Sequence, residues 1–173
     1  MHTPTALAVL AAVAALTPTA TATSYSPAES AAHNGLTCKV RQACPHEGTT
    51  YRVGQVITSK TVVGNNGATA TTRQTFVTMT IRLTNTTGAV ENIRASRLII
   101  RGHDGHRYFP TSLAVKLNGN GPHFFPPGFI QYLGPHWTRS VLMLYQLPPA
   151  ATHGAVLEIR GSTADEATIL LGL

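Results

Sequence analysis

The feature that most limits the fold of this chain is the segment Thr75 to Asn85, in which apolar and polar side chains alternate strictly. Successive side chains of a β-strand point to opposite faces, so this pattern predicts a strand with one face on a core and the other in water. The sequence after Asn85 is typical of a turn. The apolar positions of the segment are Val77, Met79, Ile81 and Leu83.

Similar strand signals recur through the rest of the chain. Ser96 to Arg101 runs into Asp104-Gly105, which is a strong hairpin signal. Trp137 to Leu147 is apolar on both faces, so we expect a central strand that is covered on both sides. No segment has a sustained helical period. Seven to eight strands at this length predict an all-β fold, an immunoglobulin-like antiparallel β-sandwich over residues 49–173.

The first 22 residues have the layout of a secretory signal peptide. The apolar run Ala6 to Leu16 is too short to cross a bilayer, and the small residues Ala20 and Ala22 suit cleavage by signal peptidase. The absence of Lys and Arg before the run departs from the usual pattern. We expect residues 1–22 to be removed and the mature protein to be secreted, extracellular or associated with the cell envelope. No other run approaches the length of a membrane span, so we expect none in the mature protein.

Residues 23–48 are small and polar, and we interpret them as a tether ordered mainly around two cysteines. Cys38 and Cys44 are the only cysteines, and in an exported chain two cysteines this close are most simply a disulfide. A redox site would normally have two residues between its cysteines, and a metal site would need more ligands than His46 can add.

The chain is basic, with 13 Lys and Arg against seven Asp and Glu. Such a balance suits attraction to anionic cell-wall polymers, lipid head groups or nucleic acid. The basic residues are scattered singly with no run of three, which is also what a merely basic, soluble surface would show. No RNA-binding aromatic motif accompanies them, so we expect no nucleic acid partner.

Two connections are long for a sandwich of this size. Gly64 to Thr72 is small and polar, and we expect it to be mobile. Asn118 to Gly128 places two adjacent aromatics among glycines and prolines. These rings either plug the open end of the sandwich or form a contact surface for a partner, supported by nearby basic side chains. The candidate ligand-binding residues of the second alternative are Phe124, Phe125, Arg107 and Lys116, with Pro126 and Pro127.

The order of these signals resembles a family of bacterial extracytoplasmic immunoglobulin-like domains of unknown function, relatives of a small secreted immunogenic antigen of mycobacteria. The resemblance covers about 120 residues. It implies a fold and an extracytoplasmic location, and it implies no reaction and no catalytic residues. The turn order Gly134-Pro135 and the cysteine pair are not marks of that family. The segments that carry the resemblance are Tyr51–Val56, Phe76–Gly88, Leu98–Tyr108 and Leu133–Pro148.

The chemistry-bearing residues do not have the spacing of a known active site. His103-Asp104-Gly105-His106 holds two imidazoles and a carboxylate, but we expect an exposed hairpin tip rather than a metal site. Asp165 and Glu166 are adjacent, so on a strand they would point to opposite faces and could not act as a catalytic pair of carboxylates. We expect them to cap a turn before the last strand. Asn85-Thr86-Thr87 is a glycosylation sequon, in which we expect Asn85 to shape the turn. An enzyme would need His103, His106 and a distant carboxylate to converge.

These observations predict a secreted, non-enzymatic binding or interaction module whose ligand is an unknown protein or cell-wall component. We expect a monomer with no cofactor, no metal and no catalytic residues. The alternative is a structural cell-envelope protein that its basic surface holds to anionic polymers. Salt distinguishes the two, because long-range charge attraction fades at high ionic strength.

Overall fold

The computed structural model describes residues 35–118, 124–162 and 165–173. The predicted signal peptide, residues 1–22, lies outside the described residues. Within the described ranges no helix is long and apolar enough to span a membrane.

Eleven strands, two short α-helices and one 3-10 helix (Ala95–Arg97) form the regular structure of the described residues. The prediction of seven to eight strands was too low, because several additional strands are only two to four residues long. The strands are β1 (Thr37–Lys39), β2 (Cys44–His46), β3 (Thr49–Val63), β4 (Thr69–Asn85), β5 (Glu91–Arg94), β6 (Leu98–Arg101), β7 (Arg107–Tyr108), β8 (Ile130–Leu133), β9 (Thr138–Leu147), β10 (Val156–Arg160) and β11 (Glu166–Leu170). The α-helices are α1 (Leu113–Leu117) and α2 (Pro149–Thr152).

The strands form two main sheets and one small one, and the all-β sandwich prediction is confirmed. One main sheet has the order β1-β11-β10-β6-β7, and the other has the order β2-β3-β4-β9. β5 and β8 form a separate two-stranded sheet. The strand pairs are antiparallel except that of β1 with β11, which is parallel.

The segment predicted to be a tether, residues 23–48, contributes to both main sheets from residue 37 onward. β1 adds an edge strand to the five-stranded sheet, where Cys38 pairs with Ile169. β2 adds an edge strand to the four-stranded sheet, where Cys44 pairs with Tyr51. The predicted disulfide joins the two cysteines, with 5.8 Å between their Cα atoms. The tether interpretation was therefore wrong for these residues, because main-chain pairing and two buried cysteines anchor them to the sandwich.

The main core lies between the two large sheets. The alternating segment of β4 behaves as predicted, since its four apolar side chains are all buried in this core. The opposite sheet contributes buried side chains from β6, β10 and β11, and Tyr145 donates a hydrogen bond from its hydroxyl to the main-chain oxygen of Leu98 at 2.9 Å. A fully buried tyrosine needs such a partner, because an unpaired hydroxyl in a core costs free energy.

β3 and β4 form one long hairpin, which corrects the prediction of a mobile loop over Gly64 to Thr72. Thr69 to Thr72 belong to β4, and only residues 64–68 turn the chain. The turn is docked on α1: the amide of Asn65 donates to the oxygen of Leu117 at 3.2 Å, and Nδ2 of Asn66 donates to that of Lys116 at 3.2 Å.

β9 is covered on both faces as predicted, but it lies at the edge of its sheet rather than at the centre. Two irregular segments, rather than a strand, form main-chain hydrogen bonds with its outer edge. The amide of Thr111 donates to the oxygen of Leu144 at 2.9 Å, and that of Phe125 donates to the oxygen of Leu142 at 2.7 Å. These bonds satisfy part of an edge that would otherwise be open to pairing with another chain.

A second, smaller core lies on the outer face of the four-stranded sheet. α1 and Phe124 cover the half of this face that carries Phe76 of β4 and Leu144 of β9. The other half of the same face, toward Arg82 of β4, has no such cover among the described residues and carries exposed polar side chains.

Candidate functional site

The predicted aromatic contact surface is not a surface, because both rings are buried. Phe124 is 3% exposed and belongs to the smaller core, and Phe125 is 2% exposed and belongs to the main core. Asn118 ties the segment down, since its Oδ1 accepts from the Phe124 amide at 2.6 Å and its Nδ2 donates to the Phe124 oxygen at 3.0 Å. The rings therefore fill apolar space on β9, which agrees with the plug alternative and excludes them as an exposed contact surface.

The two basic residues predicted to support those rings are placed on separate elements. Arg107 of β7 donates from Nε to Glu158 at 2.9 Å and also lies 3.5 Å from Glu166, so its charge is balanced within the five-stranded sheet. Lys116 lies on α1, over the four-stranded sheet. The four candidate ligand-binding residues thus do not form one site.

The hairpin tip with His103, Asp104 and His106 is held by local hydrogen bonds. The Asp104 carboxylate accepts from the Tyr108 hydroxyl at 2.5 Å and from the His106 amide at 3.1 Å. Burial, together with the hydrogen bond to Asp104, raises the pKa of Tyr108 to about 12. The described residues contain no group of three or more His, Cys, Asp or Glu that could hold a metal ion.

Asn85 has a larger structural role than shaping a turn. Its side chain is 1% exposed, and Nδ2 donates to the main-chain oxygens of Ala89, Leu133 and Gly134 at 2.6 to 3.0 Å. Its Oδ1 accepts from the amide of Thr87 at 2.8 Å. The sequon nitrogen is therefore engaged inside the folded domain, where it joins the end of β4 to the segments before β5 and after β8.

The uncovered half of the four-stranded sheet carries an open, shallow groove of about 640 Å³, which we call the arginine groove. A register shift in the β3–β4 ladder between Val53 and Val56 forms a bulge beside it. A bulge bends its strand and increases the local twist. The groove is lined by Arg41, Arg52, Gly54, Gln55, Thr80 and Arg82.

Two of the three arginines face each other across neighbouring strands. Arg52 of β3 pairs in register with Arg82 of β4, so both side chains leave the same face of the sheet. Directly opposed residues in an antiparallel pair have Cβ atoms about 5 Å apart, and like charges in these positions are destabilising. The arrangement therefore places two positively charged side chains at neighbouring positions on one exposed face of the sheet.

The third arginine, Arg41, lies in the loop that the disulfide closes, here called the cystine loop (residues 38–44). Arg41 has a φ of 69°, in the left-handed region, which costs a residue with a Cβ about 1 to 2 kcal/mol. Its amide donates to the Val53 oxygen at 2.7 Å, and its oxygen accepts from Nε of Arg52 at 2.8 Å. The loop is thus fixed to β3 at the bulge.

The arginine groove keeps its positive charge because no carboxylate lines it. The arginine–carboxylate pairs of the described residues use Glu47, Glu158 and Glu166, and none of these pairs includes an arginine of the groove. The largest of these networks lies on the five-stranded sheet, where Glu158 pairs with Arg101 and Arg107.

Sequence reasoning did not find this site. The alternation of β4 predicts that Arg82 lies on its polar face, so the exposure of this one groove arginine could be read from the sequence. The partner of Arg82 depends on the register of a long hairpin with two shifts, and the approach of Arg41 depends on main-chain conformation. Neither can be read from the spacing of the arginines.

Comparison with known proteins supports the fold and adds no activity. Neither a protein-family model nor a curated protein sequence matches this chain. Among solved structures it is similar to the yjhA protein from Bacillus subtilis, with a TM-score of 0.58, 10% identity, and coverage of 78% of this chain and 99% of that one. It is also similar to the secreted protein MPT63 from Mycobacterium tuberculosis, with a TM-score of 0.53, 10% identity, and coverage of 80% and 98%.

A further similar structure is described as an uncharacterized beta-sandwich protein from Clostridium difficile, with a TM-score of 0.51, 10% identity, and coverage of 79% and 93%. At this identity the likeness concerns the fold alone. The chain therefore shares its fold with a set of bacterial proteins that includes a secreted mycobacterial one, which agrees with the fold that the sequence resemblance implied.

Proposed function

We propose that this protein is a non-enzymatic, extracytoplasmic binding module that holds an anionic ligand in the arginine groove. The observation that carries the proposal is the opposition of Arg52 and Arg82 without a carboxylate between them. Like charges in this position destabilise the free protein, and an anion bound between them would reverse the sign of that contribution. A surface selected only for stability would pair these residues with acidic neighbours, as the five-stranded sheet does.

Binding fits this groove better than catalysis does. Its lining contains arginines, Gly54, Gln55 and Thr80, and it contains no His, Cys, Asp or Glu. Guanidinium groups stay protonated at all ordinary pH values, so they donate hydrogen bonds and positive charge but do not transfer protons. Such a lining can orient and hold an oxyanion, and it supplies no general base or nucleophile.

The extracytoplasmic location rests on two observations. The chain has a disulfide between Cys38 and Cys44, a bond that persists mainly in oxidising compartments. One of the proteins that share the fold is a secreted protein. Both agree with the predicted signal peptide at residues 1–22.

The second candidate function is a structural cell-envelope protein held to anionic polymers by its whole basic surface. The net charge of +6 favours it, because such a charge attracts polyanions without a specific site. The two functions differ in where the charge must be. A site requires Arg52 and Arg82, whereas diffuse attraction depends only on how many positive charges the protein carries.

Retention of the purified protein on phosphocellulose, measured as the salt concentration of elution, separates the two. The test variant is Arg52→Gln with Arg82→Gln, and the matched control is Arg73→Gln with Arg94→Gln, which removes the same charge from exposed positions outside the groove. The proposal predicts a larger shift to earlier elution for the groove variant than for the control. If the salt concentration of elution falls equally in both variants, the proposal is contradicted and the structural function is favoured.

A further inference from the structure

The three arginines of the groove belong to two parts of the chain. Arg52 and Arg82 are opposed residues of adjacent strands, whereas Arg41 belongs to the cystine loop, which is fixed to the edge of β3 by its bonds to Val53 and Arg52. The groove is therefore lined by guanidinium groups from the sheet and from the loop beside it.

This arrangement distinguishes between classes of anion. A carboxylate is planar and has two oxygens, which one or two guanidinium forks can engage fully. A phosphate group is tetrahedral and has oxygens on several sides, so a donor from outside the plane of the first two finds a further oxygen. Arginine is also the side chain whose fork matches phosphate oxygens in pairs.

The conformation of Arg41 is an independent indication that its position matters. Its φ of 69° lies in a region that favours glycine or asparagine, yet the chain has an arginine there. Strained main-chain conformations persist where the surrounding structure enforces them, and they concentrate at ligand-binding sites. Here the disulfide and the two main-chain bonds to β3 enforce it.

We infer that the arginine groove binds a tetrahedral phosphate group, either free phosphate or a phosphate ester, and that Arg41 is the residue that selects it over carboxylates. This inference rests on the proposed function and specifies its ligand. The sheet arginines supply affinity for any small anion, and the cystine loop supplies the donor that only a tetrahedral anion can use.

The test is a two-dimensional NMR titration of the purified, oxidised protein with three anions at mildly acidic pH, where each carries about one negative charge. The probes are inorganic phosphate, glycerol 3-phosphate and acetate, which has a single planar carboxylate. We expect both phosphates to shift the main-chain amides of Arg41 and Val53 and to bind about tenfold more tightly than acetate, as loss of one charge-assisted hydrogen bond implies. Arg41→Gln should lower phosphate affinity about tenfold and acetate affinity much less.

The control Arg73→Gln should bind all three anions as the parent does. Binding of glycerol 3-phosphate with the affinity of inorganic phosphate would indicate a phosphate ester as the natural ligand, and selective binding of inorganic phosphate would indicate free phosphate; both support the inference. Equal affinity for acetate and phosphate that needs Arg52 and Arg82 but not Arg41 would overturn it and leave the proposed function standing. Absence of binding by all three probes would overturn both.

Discussion

Nε of Arg52 donates a hydrogen bond to the main-chain oxygen of Arg41 at 2.8 Å, and this bond joins the cystine loop to the outer face of the four-stranded sheet. One arginine thus positions another while both keep guanidinium donors for a ligand, since each guanidinium has five N–H groups. The amide of Arg41 completes the attachment through Val53. The arginine groove is therefore assembled from two parts of the chain that only the folded domain brings together.

Replacing Arg82 by Gln should stabilise the free protein while abolishing its response to phosphate. Removal of one of two opposed like charges should raise the free energy of unfolding by about 0.2 to 1 kcal/mol. The gain should shrink as salt rises from about 0.01 M to about 0.5 M, because salt screens exposed charges. Urea unfolding with and without phosphate measures both effects, and Arg73→Gln should show neither.

Replacing Phe124 by Ala should cost about 3 to 5 kcal/mol, because it removes a buried ring from the smaller core. Phe129→Ala is the matched control, since that ring is 55% exposed and should cost much less. Denaturant unfolding of the two variants gives the comparison. A change below about 1 kcal/mol for Phe124 would mean that the ring does not pack on Phe76 and Leu144 as described.

Replacing Glu158 by Gln should destabilise the five-stranded sheet without affecting anion binding. The carboxylate is 4% exposed and accepts from Nε of Arg101 at 2.6 Å and Nε of Arg107 at 2.9 Å. An amide would turn one acceptor into a donor that faces an arginine N–H, for a loss of about 1.5 to 3 kcal/mol. Asp165→Asn, at an exposed position, should be near neutral in the same unfolding measurement.

Replacing Asn85 by Asp should be among the most damaging isosteric changes in the domain. The new carboxylate oxygen would face the oxygens of Ala89, Leu133 and Gly134, where the present side chain donates. We expect a loss of about 3 kcal/mol or more at neutral pH, partly recovered in acid when the carboxyl is protonated and can donate. Asn92→Asp, on the exposed face of β5, should show little change in thermal unfolding.

Replacing both Cys38 and Cys44 by Ala should cost about 2 kcal/mol, as expected for a short closed loop. Because the cystine loop carries Arg41, the same variant should lose the preference for phosphate over acetate. Circular dichroism would show that the sandwich remains folded, and the NMR titration would report the preference. An unchanged preference would show that the bonds to Val53 and Arg52 hold Arg41 without the disulfide.

The sequence predicted the fold where local pattern decides it. The alternation of Val77, Met79, Ile81 and Leu83 identified β4 and its buried face, and the two cysteines identified the disulfide. The prediction was wrong for residues 37–46, because two short edge strands without alternation depend on pairing with β11 and β3 rather than on their own composition.

The site was less predictable because it depends on which residues meet. The sequence pattern of two aromatics in a loop is compatible both with a buried plug and with an exposed contact surface. The apolar outer face around Leu144, which Phe124 covers, makes the plug the observed arrangement. That face was visible as the two-sided apolar pattern of β9, which suggested a central strand instead. The opposition of Arg52 and Arg82 follows from hairpin register, which the sequence leaves open.

Phosphate titrations of the parent and of the Arg52→Gln, Arg82→Gln variant, followed by two-dimensional NMR, show whether the arginine groove is the anion site. We expect saturable amide shifts in the parent that centre on Arg41, Val53 and Thr80 and that vanish in the variant. Shifts that spread over the whole basic surface, or that persist without the two sheet arginines, would contradict the claim that the arginine groove is the anion site.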